Sequence, residues 1–161
     1  MKISWLAFLV VTVGAMQAGA ASPQAQPSFA RARKVLQAEH PNTQWRHARR
    51  LDINCDGRAD HVFTGQDAKH FYVGVVLGSA SPKLKSSVVS FLRSGSSQDA
   101  LCGAPQPLRE EPLDADPEQD EIPEGYERSD RCNGLELIAG PCDSFHLFWN
   151  RKTQQLDWWR M

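Results

Sequence analysis

Between residues 52 and 60 the chain reads DINCDGRAD, which places oxygen-bearing side chains at every second position, Asp52, Asn54 and Asp56, followed by Gly57 and a further carboxylate at Asp60. A hard cation such as Ca²⁺ takes about six to eight oxygens at about 2.3–2.6 Å, and a loop that turns alternate side chains inward can deliver them. Without an ion, Asp52, Asp56 and Asp60 would crowd like charges, which is unfavourable unless they are solvated or neutralised. The competing reading is an Asn-x-Asp-Gly turn that needs no metal, because such side chains hydrogen-bond their own backbone. On either reading the chain reverses here, and the segments on both sides must be compatible with a tight turn.

An EF-hand loop begins in the same way, with ligands at positions 1, 3 and 5 and glycine at 6, but it needs a bidentate Glu at 12, where this chain has Phe63. The segment instead resembles the calcium loops of FG-GAP and VCBS-type repeats, in which a DxNxDGxxD element sits between adjacent strands of a β-propeller blade. The resemblance covers residues 50–77, in a single copy, with Cys55 where those loops usually have glycine. It implies Ca²⁺ as the cofactor, Asp52, Asn54, Asp56 and Asp60 as side-chain ligands, and Arg58 as a main-chain carbonyl ligand. A propeller needs several blades, so the implied fold here is at most a blade-like sheet.

Periodicity agrees with a β fold. In residues 69–77, Phe71, Val73, Val75 and Leu77 share one face and Tyr72 and Val76 the other, which predicts a central strand covered on both sides. Strands are also expected over 46–51, 61–64, 86–93, 135–138, 145–149 and 156–160, joined by turns as antiparallel hairpins. Ahead of them, Ser28 can cap a helix over 29–39 with Phe29, Ala32, Val35 and Leu36 at helical spacing, and His40-Pro41 ends it. Arg31, Arg33 and Lys34 fall on its other face, read as a solvated basic surface. Trp149, Trp158 and Trp159 are dense in so short a tail, and at least two of the three are expected in the core.

The first residues set the compartment. Met1-Lys2, an apolar run over 3–16 and Ala18-Gly19-Ala20 form a secretory signal peptide over 1–20, and its apolar run falls short of the roughly 20 residues of a spanning helix, so no transmembrane anchor is expected after cleavage. Residues 21–27, ASPQAQP, read as a flexible spacer. Cys55, Cys102, Cys132 and Cys142 all lie beyond it, and an even count in an oxidising compartment implies two disulfides with three possible connectivities. Zinc is the competing reading, but no CxxC pair is present. Of the three, Cys55 with Cys102 and Cys132 with Cys142 is favoured, since the latter pair flanks a hairpin-sized segment. The expected localisation is periplasmic or secreted.

Residues 103–131 carry five prolines and ten acidic residues, which predicts a long irregular acidic loop. The expected architecture is therefore mainly β: one antiparallel meander sheet, blade-like, with an N-terminal helix, the acidic loop and two disulfides, in a single domain over 28–161. A net charge of -1 offers nothing to attract nucleic acid. There is no GxSxG, HExxH or phosphate-cradling glycine loop, and Asp143, Ser144 and His146, though chemically suited to nucleophilic work, lie on a turn where sequence proximity does not make a triad. The reading is a non-enzymatic, calcium-stabilised binding or accessory module. The alternative is an inhibitor or immunity protein that blocks a toxin or cell-wall hydrolase through the acidic loop.

Overall fold

The computed structural model of the chain describes residues 27–79, 81–115 and 122–160. The expected signal peptide and residues 21–26 of the spacer lie outside the described residues, as do residues 116–121 of the acidic segment. Pro27, at the end of the expected spacer, is buried, and its carbonyl accepts a hydrogen bond from His61 Nε2 at 2.9 Å.

The helix α1 spans Phe29–Glu39. Ser28 caps it, its hydroxyl accepting from the Arg31 amide at 3.3 Å, and the His40 amide closes the last turn on the Leu36 carbonyl ahead of Pro41. Ala32 and Leu36 are fully buried, and Arg31, Arg33 and Lys34 are exposed as expected. No described helix is long and apolar enough to cross a membrane.

Eight strands are described after α1, in two four-stranded antiparallel sheets rather than the single sheet expected. The first contains β1 (Arg46–Leu51), β2 (Asp60–Gln66), β3 (His70–Val76) and β4 (Ser86–Leu92), each paired with its neighbour in sequence. The second contains β5 (Arg109–Leu113), β6 (Ser129–Leu137), β7 (Phe145–Asn150) and β8 (Gln155–Arg160), in the same order of pairing. The β3 strand is covered on both faces: Phe71, Val73 and Val75 enter the core between the sheets, while Val76 and Tyr72 pack with Ala32, Leu36, Trp45 and Phe63 beneath α1.

The core between the sheets joins Val62, Val75 and Phe91 of the first to Leu135, Leu147 and Trp149 of the second. The Phe91 and Phe145 rings meet across it at 4.5 Å between centroids. At about 25 cal/mol per Å², burying aromatic faces of this kind is the main driving force for sheet docking. A third cluster, Leu113, Tyr126, Cys132, Phe148 and Trp159, forms around β5–β8, with Ala115 and Ile122 packed against it. Trp149 and Trp159 are buried and Trp158 is half-buried against the main core.

The acidic stretch is not irregular throughout. β5 lies inside it, and β6 begins at Ser129. β5 is an edge strand, so it needs hydrogen bonds along one side only and tolerates Pro112 and outward-facing charge. A single inward residue, Leu113, is buried, which is too little apolar signal to reveal a strand in sequence.

The disulfides are also a correction. They join Cys55 to Cys132 and Cys102 to Cys142, with Cα separations of 5.8 and 5.9 Å. Cys132 does not pair with Cys142 because Leu137 and Phe145 close the β6–β7 turn, and Cys132 sits further back along β6. Both bonds therefore tie a connection of the first sheet, the β1–β2 turn or the segment after β4, to the second sheet. Two disulfides mark an oxidising, exported compartment.

Candidate metal centre

The DINCDGRAD stretch connects β1 to β2. Cys55 and Gly57 adopt left-handed backbone, with φ of 54° and 84°, and these two residues coil the turn. Nothing lies near a Cβ placed on Gly57, so glycine is needed there for its dihedral freedom rather than for space.

The coil gathers three of the expected ligands. Asp52 accepts from the amides of Asp56 at 3.0 Å and Gly57 at 2.8 Å. Asn54 Oδ1 accepts from the same Asp56 amide at 3.2 Å, and Asn54 Nδ2 donates to Asp56 Oδ2 at 3.2 Å. Asp56 Oδ1 accepts from the Arg58 amide at 2.9 Å. Asp52, Asn54 and Asp56 thus surround one turn, and Arg58, whose carbonyl is the expected ligand, also joins that turn through its amide.

Asp60 is placed differently. It is fully buried, and its carboxylate accepts from the Ile53 amide at 3.0 Å and the Gly78 amide at 2.7 Å. Burial pushes its pKa up to about 6, against the opposing pull of the Gly78 and Ile53 hydrogen bonds, and the nearby Asp56 charge pushes the same way as burial. Gly78 has no room for a side chain, since a Cβ there would lie 2.4 Å from the Ala59 carbonyl oxygen.

Two features hold the turn from outside. The Cys55–Cys132 disulfide ties it to β6. The Arg151 guanidinium donates to the Asn54 carbonyl at 2.7 Å and pairs with Glu127 at 3.3 Å. Neither Arg151 nor Gly78 carried a sequence signal, because Arg151 reaches a backbone carbonyl of a distant segment and Gly78 acts through its own amide on a carboxylate distant along the chain.

The donor set fits a hard cation better than a soft one. Two carboxylates and an amide oxygen line the turn, with no imidazole or thiolate among them, and each ionised carboxylate keeps lone pairs beyond those used by the amides. Among the described residues, no group of three or more His, Cys, Asp or Glu side chains is already assembled around a common centre.

Elsewhere, Asp67 accepts from Tyr72 Oη and from the amides of Lys69 and His70, each at 2.7 Å, beside an open cleft of about 620 Å³ that Arg93, Gln44 and Gln66 also line. Ser144 donates to Glu136 at 2.8 Å, and His146 Nδ1 meets Glu111 at 2.8 Å, so these two side chains bond to different glutamates. No protein-family model matches this chain, and neither a curated protein nor a solved structure matches it.

Proposed function

We propose that this chain is an exported, non-enzymatic binding or accessory module of the periplasm or cell exterior, in which Ca²⁺ at the β1–β2 turn and two disulfides stabilise a pair of packed sheets. The observation that carries this reading is the convergence of Asp52 and Asn54 on the single Asp56 amide, which brings oxygens from alternate residues to one side of the turn. Asp52, Asn54 and Asp56 would hold the ion from their side chains, with Asp60 beneath them. The ion would supply positive charge to the Asp52 and Asp56 carboxylates that line the turn. Its effect would be structural: fixing the turn fixes where β1 ends and β2 begins.

The test is thermal unfolding of the purified chain in calcium and in chelator. Calcium is expected to raise Tm and chelator to lower it, and identical curves in both would overturn the metal role.

A second reading is an inhibitor or immunity protein acting through the acidic segment. It draws support from the way that segment's flanks are held, with Leu113 and Tyr126 buried on either side of it and Cys132 bonded just beyond. Capture of a hydrolase or toxin from periplasmic extract, lost when residues 114–125 are replaced by a short Gly-Ser linker, would favour this reading over the first.

A further inference from the structure

The two disulfides occupy different environments. Cys132 is 7% exposed and Cys55 half-buried in the cluster around Phe148 and Trp159, whereas Cys102 and Cys142 are both exposed. The exposed bond borders an open groove of about 660 Å³, lined also by Ser97, Gln98, Asp143 and Arg160. The Arg160 guanidinium is anchored there: Nη1 donates to the carbonyls of Gln98 at 3.1 Å and Ala100 at 3.3 Å, and the group lies 4.7 Å over the Phe145 ring. Its Nη2 is then directed at Cys102 Sγ at 3.4 Å.

A disulfide sulfur is a weak acceptor and gains little from a cationic donor, but a thiolate gains a charge-assisted hydrogen bond. The arrangement therefore favours the species formed when the bond opens, and it favours it at one sulfur. Cys142 has the opposite setting, since Asp143 is next in the chain and places a carboxylate on the same groove. A negative charge on Cys102 is stabilised, and one on Cys142 is not.

We propose that Cys102–Cys142 is a thiol-exchange site, opened by a dithiol reductant that attacks Cys142 and expels Cys102 as a thiolate held by Arg160. The attacking thiol loses its proton to water, its sulfur bonds to Cys142 Sγ, and the Sγ–Sγ electron pair leaves on Cys102. The reductant's second thiolate then displaces Cys142, which takes a proton from water. The reductant leaves as a disulfide and the chain retains two reduced cysteines. Cys55–Cys132 is untouched and keeps the two sheets joined, so opening removes the covalent tie between Cys102 and the β6–β7 turn while the Pro105–Ala139 bridge and the buried Leu101 and Leu108 keep the connection in place.

The chain, purified after export, is titrated with dithiothreitol while newly freed thiols are alkylated and mapped by mass spectrometry. Cys102 and Cys142 are expected to be labelled together and about tenfold or more before Cys55 and Cys132, as exposed disulfides exchange faster. Opening of Cys55–Cys132 first, or of both at one rate, overturns the assignment. Arg160→Gln is expected to slow opening of Cys102–Cys142 several-fold, and Arg160→Lys, which keeps the charge, to restore part of the rate. Because Arg160→Gln also releases two carbonyls, a second measurement isolates the sulfur. In Cys142→Ser, the pH dependence of Cys102 alkylation is expected to place the thiol at least about one pH unit below the ordinary value of about 8.5. An ordinary or higher value overturns the role given to Arg160.

Discussion

The Gly78 amide donates to Asp60 Oδ1 at 2.7 Å, and through this bond the first residue of β2 holds the chain just beyond the end of β3. The other carboxylate oxygen takes the Ile53 amide, so one buried side chain fixes both the β1–β2 turn and the exit from the central strand. Asp60→Ala leaves two buried amides without acceptors, at roughly 1–3 kcal/mol each. A loss of about 2–6 kcal/mol in chemical denaturation is expected on that basis, with Asp60→Asn intermediate because its amide oxygen can still serve one donor.

Asp56 separates the proposed metal role from the fold. Its side chain is exposed and accepts the Arg58 amide and an Asn54 amide hydrogen, bonds worth about 1 kcal/mol each at most when solvent can replace them. Asp56→Ala should cost little stability in chelator yet abolish the calcium-dependent rise in Tm, measured by differential scanning calorimetry in both conditions.

Acid stability is tied to Asp67. The Tyr72 hydroxyl, then the His70 and Lys69 amides, hold its carboxyl well below the usual carboxylate range. A carboxylate depressed in this way contributes stability that is present above its unfolded value of about 4 and is lost as pH falls from there through the folded value. Tyr72→Phe removes the largest cause, so the Asp67 resonance should titrate at higher pH in NMR, and the acid limb of the unfolding curve should flatten.

Docking of the sheets depends on Phe145, which is 1% exposed and touches both Phe91 and Trp158. Phe145→Ala is expected to cost about 3–5 kcal/mol in urea unfolding, as for other buried aromatic truncations. Gly65→Ala tests the helix side of the first sheet. A Cβ there would lie 2.5 Å from a Thr43 methyl and 2.7 Å from the Trp45 ring, and the expected result is destabilisation with a changed Trp fluorescence spectrum.

The elements that sequence reveals are those whose signals are local. Ser28 and His40-Pro41 bound α1 as the capping and proline rules require, and the two-sided apolar pattern of β3 marks it as central. β5 was hidden because an edge strand among acidic residues needs only Leu113 facing inward. Disulfide pairing was illegible because it depends on how far along β6 Cys132 lies from the turn, a matter of register rather than spacing. Within the turn, the Asp52, Asn54 and Asp56 cluster was readable from alternation. For Asp60 the same pattern does not distinguish a carboxylate that anchors amides, as it does those of Ile53 and Gly78, from one that ligates an ion.

Every strand in both sheets pairs only with its neighbour along the chain. Except for β5 and β6, which are joined by residues 114–128, ladder formation therefore closes short loops, which is entropically cheap and fast. The four sulfurs face a different requirement: Cys55 and Cys132 are 77 residues apart, Cys102 and Cys142 40, and neither pair comes within bonding reach until one sheet settles on the other. Oxidation thus records that assembly has occurred rather than directing it, and a chain kept reduced during refolding should regain its strands first and acquire the native crosslinks afterwards.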